Sequence, residues 1–448
     1  MKRLVILGAG TAGTAVANRL RAAIPQYELQ ITVIDQDDAH HYQPGYLFRA
    51  LGMYSDRQIV RARHRLLHDG IELVLTEIDK VDAAAKQVEL KDGRRIPYDL
   101  LIIATGVTPR PDRVTGMDGP EFGKSVHEFY TLAGAQKLHA ALRQFNGGRL
   151  VVHICEMPIK CPVAPLEIAF LLDAWLRDHD LRDKTTITYV TPLDGAFTKP
   201  VASRELGRLL ASRDIDVVTD FTIESVDNQA KQIVSYDDRR VAFDLLVTVP
   251  PNAGADYIER SGIGDDVNLV PCDKHTMAAL DLADTWVLGD AGTLPTSKAG
   301  AVAHFSIDVF MENFMEAWRG GEAEHQFDGH ANCFVETGHG KAMLLDFNYE
   351  TEPVTGVFPI PVIGPLKLLG ESRLNHLGKL GFAWVYWNML LAGRPIPLPA
   401  DMMKAGKNLP KSEAAPVTVE AAPPPADVAA APAEDKAATV QAPIIPKF

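Results

Sequence analysis

Apolar positions along the chain change period in a regular rhythm. A continuous apolar run, Leu4-Val5-Ile6-Leu7, gives way at a glycine turn to helical spacing over 14–23. A second apolar run over 29–34 then stops at Asp35. Uninterrupted runs suit strands covered on both faces, so this order predicts a parallel βαβ unit. Shorter strand-like runs follow at 71–75, at 87–90 before the turn Lys91-Asp92-Gly93, and at 100–103. Near Gly148 the rhythm restarts. A strand is expected over 149–154, a helix over 165–176, strands over 186–190 and 233–236, the polar turn Asp237-Asp238-Arg239-Arg240, and a strand over 245–249. The second block reads as a diverged copy of the first, and the class is α/β.

The glycine turn sharpens this picture. Gly8-Ala9-Gly10-Thr11-Ala12-Gly13 fits GxGxxG directly after a strand and at the start of a helix, and Asp35 ends the next strand. Glycines there let backbone N–H groups approach a pyrophosphate, while the acid is placed for a ribose. The architecture expected is two tandem Rossmann-like dinucleotide-binding units, one inserted in the other. Its expected boundaries are 1–110 for the first part of the nucleotide-binding unit and 111–270 for the second unit. The first unit then resumes over 271–330, and a C-terminal region spans 331–410.

Two later motifs follow strands, Ile103-Ala104-Thr105-Gly106 and Trp286-Val287-Leu288-Gly289-Asp290-Ala291. With the N-terminal turn they make the chain resemble the two-dinucleotide-fold flavoproteins, in which the later aspartate meets the ribityl chain of FAD. That resemblance implies FAD as cofactor, with contacts from Gly8, Gly10, Gly13, Asp35, Thr105, Gly106, Gly289 and Asp290. The corresponding turn of the second block, Val151-Val152-His153-Ile154-Cys155-Glu156-Met157-Pro158-Ile159-Lys160-Cys161-Pro162, holds no glycine. Its prolines lack N–H donors, so a nicotinamide nucleotide is not expected there.

Composition narrows the chemistry further. The 448 residues carry a formal net charge of −13, which excludes nucleic acid as an expected partner. Four cysteines, Cys155, Cys161, Cys272 and Cys333, are too few for a disulfide scaffold. Met1-Lys2-Arg3 runs straight into a strand, so no signal peptide is expected. His40-His41 lack ligands at zinc spacing, and no metal site is expected. Cys161 precedes Pro162-Val163-Ala164-Pro165 at the entrance to a helix, where the dipole and Lys160 favour a thiolate. The residues alone leave open a buried cysteine acting as a small hydrophobe.

A closer resemblance bears on that choice. Ile159-Lys160-Cys161-Pro162-Val163-Ala164-Pro165-Leu166-Glu167, Leu294-Pro295-Thr296-Ser297-Lys298 after Gly289-Asp290, Asn332-Cys333, and Asp346-Phe347-Asn348-Tyr349-Glu350-Thr351-Glu352-Pro353 are similar to sulfide:quinone oxidoreductase. Tyr42-Gln43-Pro44-Gly45-Tyr46 resembles the segment which that family places beside the flavin. The resemblance runs from residue 1 to about 405 and extends to a sister family, flavocytochrome c sulfide dehydrogenase. It implies an FAD-dependent enzyme in which Cys161 and Cys333, joined by a disulfide or sulfur bridge, take up sulfide as a persulfide and deliver two electrons to the flavin and then a quinone. It places Pro44 near the flavin and Lys298 at a helix start aimed at the flavin pyrimidine edge. Glu167 is a secondary candidate, a base for incoming sulfide. Cys155 is read as structural, Cys272 as a loop or core residue, and His304 as a packed or solvated histidine.

The segment 353–394 is rich in apolar and aromatic residues, but its uncharged run 380–393 is shorter than the roughly 20 residues of a spanning helix. Trp384, Tyr386 and Trp387, flanked by Lys379 and Arg394, suit an amphipathic element in a membrane interface, with those cations at headgroups. The same run also suits a helix pair covering the body or making a homo-oligomer. The expectation is a peripheral membrane protein that reduces a membrane quinone and hands sulfane sulfur to an undetermined acceptor. A cytochrome-coupled sulfide dehydrogenase subunit, an NADH:quinone oxidoreductase and a non-catalytic thiol-redox flavoprotein are the alternatives. Residues 411–448 hold 12 Ala and 7 Pro, too little to bury, and are expected to form a disordered extension.

Overall fold

The central strand Lys2–Leu7 is apolar on both faces because both are covered. It runs parallel to Leu29–Asp35 on one side and Leu100–Ile103 on the other, with Ile71–Leu75 and Thr285–Val287 at the edges. A computed structural model describes residues 1–360 and 364–409 of the chain. Helix Thr11–Ala23 packs on the first two strands and against helix Gly300–Trp318. Ala15, Val16, Ala17 and Leu20 form its buried stripe, with the helical spacing that the sequence shows.

The second unit repeats the plan. Gly148–Ile154 is central, between Thr185–Val190 and Leu245–Val249, with Ile215–Val218 and Val126–His127 outermost. Each unit also carries a three-stranded antiparallel sheet, Ile78–Asp82 with Gln87–Leu90 and Arg95–Pro97 in the first, and Ile223–Asp227 with Gln232–Ser235 and Arg240–Ala242 in the second. The chain crosses between units on a two-stranded ribbon in which Thr108 pairs with Ala253 and Pro109 with Asn252. Helix Asp256–Ser261 already packs on Ile78–Asp82, so the return comes near 253 and not at 270. Little in 254–270 betrays this, because apart from that short helix the stretch pairs through scattered backbone bonds such as Gly254 N–H to the Val267 carbonyl and Val270 N–H to the Ala291 carbonyl.

The C-terminal region contains a sheet that the sequence pattern did not predict. Ala331–Gly338 and Lys341–Phe347 form a hairpin, extended by Gly364–Leu368 and Gly356–Ile360 into a four-stranded sheet. Much of the apolar 353–369 segment is therefore strand. Helix Arg373–Val385 packs on this sheet and continues into a π-helical turn over Tyr386–Leu390. Only part of the aromatic cluster faces out: Trp384 is 63% exposed, whereas Tyr386 and Trp387 are buried against the first unit. Among the described residues no helix is long and apolar enough to cross a membrane. The Ala/Pro-rich 411–448 lies outside the described residues.

Candidate active site

The glycine turn has the shape of a phosphate cradle. Gly8 has φ +94°, and a Cβ there would meet the Ala104 carbonyl oxygen at 2.6 Å, while one on Gly13 would lie 1.8 Å from the Gly8 carbonyl oxygen. These two glycines let strand, helix and the 104–106 turn close on one another. Gly10 is different, because a Cβ there would meet nothing within 4 Å. It faces open space at the helix start, where the first intrahelical bond is Thr14 N–H to the Gly10 carbonyl. The N–H groups of the first turn therefore remain for an anion. Gly106 and Gly289 adopt φ of +64° and +71° beside the same space.

Asp35 accepts hydrogen bonds from the Ala9 and Gln36 N–H groups, each at 2.7 Å, and pairs with Arg63 Nη1 at 2.7 Å. Burial pushes its carboxyl up and Arg63 pulls it back. Arg63 has no motif and was not anticipated. A second unanticipated link ties the C-terminal region to the cradle. His40 Nδ1 lies 3.0 Å from the Ala9 carbonyl oxygen, Nε2 lies 2.8 Å from the Tyr386 hydroxyl, and that hydroxyl lies 2.8 Å from Thr11 Oγ1. Burial holds His40 neutral, with its pKa lowered to about 3. Its Nδ1–H therefore donates to Ala9, Tyr386 donates to Nε2, and Thr11 donates to Tyr386.

The other expected cofactor residues divide. Asp290 sits in the turn Gly289–Ala291, its carboxyl raised by burial and opposed by Lys298 and Lys160. Thr105 points its hydroxyl at Tyr257 Oη, 3.1 Å away, leaving its backbone and Gly106 beside the cradle. Pro44 precedes helix Gly45–Ala50, and neighbouring Gln43 Oε1 accepts from Lys160 Nζ at 3.0 Å. Lys298 Nζ donates to the Asp290 and Gly292 carbonyls at 2.8 Å each, which uses two of its three N–H groups. It braces the turn. The helix after it starts at Gly300, where a Cβ would meet nothing within 4 Å.

Tertiary folding packs helix Ala164–Asp178, which follows Cys161, against strand Ala331–Gly338, which carries Cys333. Cys161 takes φ +48°, a strained left-handed conformation for a side chain. It is held there by its N–H to the Lys298 carbonyl at 2.6 Å, and by Ala164 N–H and Tyr130 O–H on its own carbonyl. Cys333, 7% exposed, lies on strand Ala331–Gly338, and the charge of Cys161 acts on it. Both thiols are free. The expected thiolate character is not what the surroundings produce: burial pushes the Cys161 thiol up to about 12 and Cys333 higher still. Lys160 is engaged with Gln43. The cation that pulls both thiols back is Lys379.

Lys379 overturns a second expectation. Instead of meeting headgroups, its ammonium points inward to the Glu167 carboxylate and, at 3.2 Å, the Phe334 carbonyl. A helix-borne lysine faces a buried partner here because Glu167 is itself enclosed and needs a counter-charge. Glu167 also accepts the Glu336 N–H at 2.8 Å, and His376 Nδ1 closes on the Glu336 carboxylate at 2.9 Å. No sequence signal pairs Glu167 with Lys379.

The remaining cysteines are packed. Cys155 Sγ lies 3.6 Å from Thr248 Oγ1, and burial pushes its thiol up to about 12. Cys272 is buried beside Thr293, at 4.0 Å. His304 is buried, with Nε2 3.6 Å from Asp308. Among the described residues no group of three His, Cys, Asp or Glu is placed to hold a metal ion.

Residues 2–154 match the pyridine nucleotide-disulphide oxidoreductase family. Within that class the chain is similar to the sulfide:quinone oxidoreductases. It is 25% identical over 398 residues to the mitochondrial enzyme of Dictyostelium discoideum, covering 88% of this chain and 86% of that one. With the mitochondrial enzyme of Mus musculus the identity is 22% over 397 residues, 87% and 86% of the two chains. The crystal structure of the sulfide:quinone oxidoreductase from Aquifex aeolicus superposes with a TM-score of 0.75 at 18% identity, covering 88% of this chain and 92% of that one.

Proposed function

We propose that this chain is a sulfide:quinone oxidoreductase, with FAD in the cradle of Gly8, Gly10 and Gly13 and with Cys161 and Cys333 as its sulfur-handling pair. The observation carrying the reading is the convergence of those cysteines, from two separate elements, on one electrostatic neighbourhood beside the Gly289–Ala291 turn. The open side of Gly10, the positive φ of Gly106 and Gly289, and the buried Asp35 and Asp290 carboxylates fit a dinucleotide of the FAD type. Bound FAD would supply a two-electron acceptor that a quinone can reoxidise.

The chain's own residues do the sulfur chemistry. When Cys161 and Cys333 are joined, hydrosulfide attacks one sulfur, the bond between the cysteines breaks, and the other sulfur leaves as a thiolate with the electron pair. One cysteine then carries a persulfide, whose outer sulfur passes to a thiol or sulfide acceptor. Cys333 is buried and Cys161 half-buried, which limits the access of water to the persulfide. The glycine-free loop before Cys161 argues against NADH as reductant.

Quinone and membrane contact belong to the C-terminal region. Helix Arg373–Val385 turns Leu374, Leu377 and Trp384 outward on one stripe, and Ile360 is exposed on the adjoining hairpin. Such a stripe suits lying in a bilayer surface, as a peripheral protein. The test is anaerobic titration of the holoprotein with sulfide while following flavin absorbance, then addition of a soluble quinone. Bleaching by about one sulfide per flavin and recolouring by quinone are expected. A flavin that stays oxidised under excess sulfide would sink the reading.

A further inference from the structure

The two thiols share one pair of charges that neither cysteine-bearing segment supplies alone. Glu167 rides on helix Ala164–Asp178, just past Cys161, and accepts the N–H of Glu336, on the strand that carries Cys333. Lys379 arrives from helix Arg373–Val385 and bonds both Glu167 and the carbonyl of Phe334, the residue after Cys333. The pair thus joins three elements around the sulfurs. Its outer side is closed by Glu336 and His376.

The groups that face the sulfurs show what this pair does. The charges of Glu167, Lys379 and Asp290 act on Cys161, and the charge of Cys161 acts in turn on Lys160, Tyr42 and Tyr130. Cys333 is faced by Cys161, Glu167, Lys379 and Asp346. Asp346 is occupied by His330 and Lys407 on its other side. Lys379 and Glu167 act on both sulfurs with opposite sign: a buried cation stabilises a thiolate and a buried carboxylate resists it.

We propose that Lys379 and Glu167 are paired positioning residues that set how readily Cys161 and Cys333 exist as thiolates, Lys379 promoting the charge and Glu167 restraining it. The inference rests on the sulfide-oxidising reading only in taking these thiols as the reacting atoms. In the exchange, hydrosulfide forms one new sulfur–sulfur bond, the bond between the cysteines breaks, and the departing sulfur keeps the electron pair beside Lys379. The single negative charge that enters with hydrosulfide is therefore received next to a fixed ammonium.

The experiment measures iodoacetamide alkylation of the reduced holoprotein at pH 9, residue by residue, by peptide mass spectrometry. Lys379→Met is expected to slow alkylation of Cys161 and Cys333 about tenfold, and Glu167→Gln to speed it about tenfold, the effect of roughly one unit in thiol pKa. Cys155, which neither charge faces, serves as the unchanged reference. Opposite signs are the signature, since a merely structural role would move all variants together and would move Cys155 as well. Should Lys379→Met fail to fold, the double variant Lys379→Met/Glu167→Gln leaves no unpaired charge, and its rates must fall below those of Glu167→Gln alone. Equal rates in those two proteins, or shifts of the same sign in both single variants, overturn the proposal. Alkylation needs no sulfide, so a wild-type flavin unbleached by sulfide would remove the proposed activity while leaving this result to stand or fall separately.

Discussion

The two nucleotide-type units share the order of four parallel strands and differ at the turn after the first of them. In the first, strand Lys2–Leu7 ends in Gly8, Gly10 and Gly13, whose missing side chains let backbone N–H groups ring an open space. In the second, strand Gly148–Ile154 ends in a glycine-free loop that delivers Cys161, pinned at a positive φ by the Lys298 carbonyl. On the proposed function one framework serves two purposes: backbone donors hold the cofactor where side chains are absent, and a side-chain sulfur reacts where backbone donors have been given up.

The sharpest way to break this comparison is to remove the sulfur. Cys161→Ser or Cys333→Ser is expected to retain FAD and lose sulfide-driven flavin bleaching by at least about a thousandfold, the scale on which losing a catalytic nucleophile acts. Stopped-flow absorbance checks it, and a fast-bleaching variant would exclude that cysteine. Next comes the cradle. Gly13→Ala would place a Cβ against the Gly8 carbonyl oxygen, 1.8 Å away, and is expected to yield protein without bound flavin, seen in its absorbance spectrum. The second turn offers the converse test. NADH should reduce the flavin at no more than about one hundredth of the rate with sulfide, given the loop's lack of glycine.

Acid stability supplies a smaller contrast, because each unit contains a buried histidine held neutral, His40 in the first and His153 in the second. His40 and His153 are both lowered to about 3 by burial. Unfolded chains bind protons at histidine below about 6.5, whereas these folded rings do not until near 3, so stability falls as pH drops through that window. Replacing His153, hydrogen-bonded to Thr248 at 2.9 Å, with Gln should recover up to about 3 kcal/mol of the loss between neutral pH and pH 4, offset by any lost packing. Urea unfolding at pH 7 and pH 4 measures it, and an unchanged pH dependence counts against the buried neutral ring. Smallest of all, removal of 411–448 should alter turnover with sulfide and quinone by less than about twofold, since its Ala/Pro composition offers little to bury.

Much of the framework was legible because it is local. The apolar runs and glycine turns mark the strands and helices of both units to within a few residues, and GxGxxG with Asp35 marks the cradle. The C-terminal region was harder. An apolar run does not say whether it is strand or helix, so 356–368 reads as easily either way, and Tyr386 and Trp387 look like interface residues until the first unit covers them.

By itself the sequence determined the α/β repeat, the glycine cradle, the loss of glycine in the second turn and the two cysteines worth testing. Each follows from backbone conformation or residue chemistry within a short window. Only the tertiary structure decided that Lys379 turns inward to Glu167 beside both thiols, that Lys298 braces a turn, that Arg63 closes on Asp35, and that the chain returns to its first unit near 253. Those outcomes depend on which charges are buried together after folding. A buried carboxylate must find a partner, and residues 212 apart in sequence meet for that reason alone.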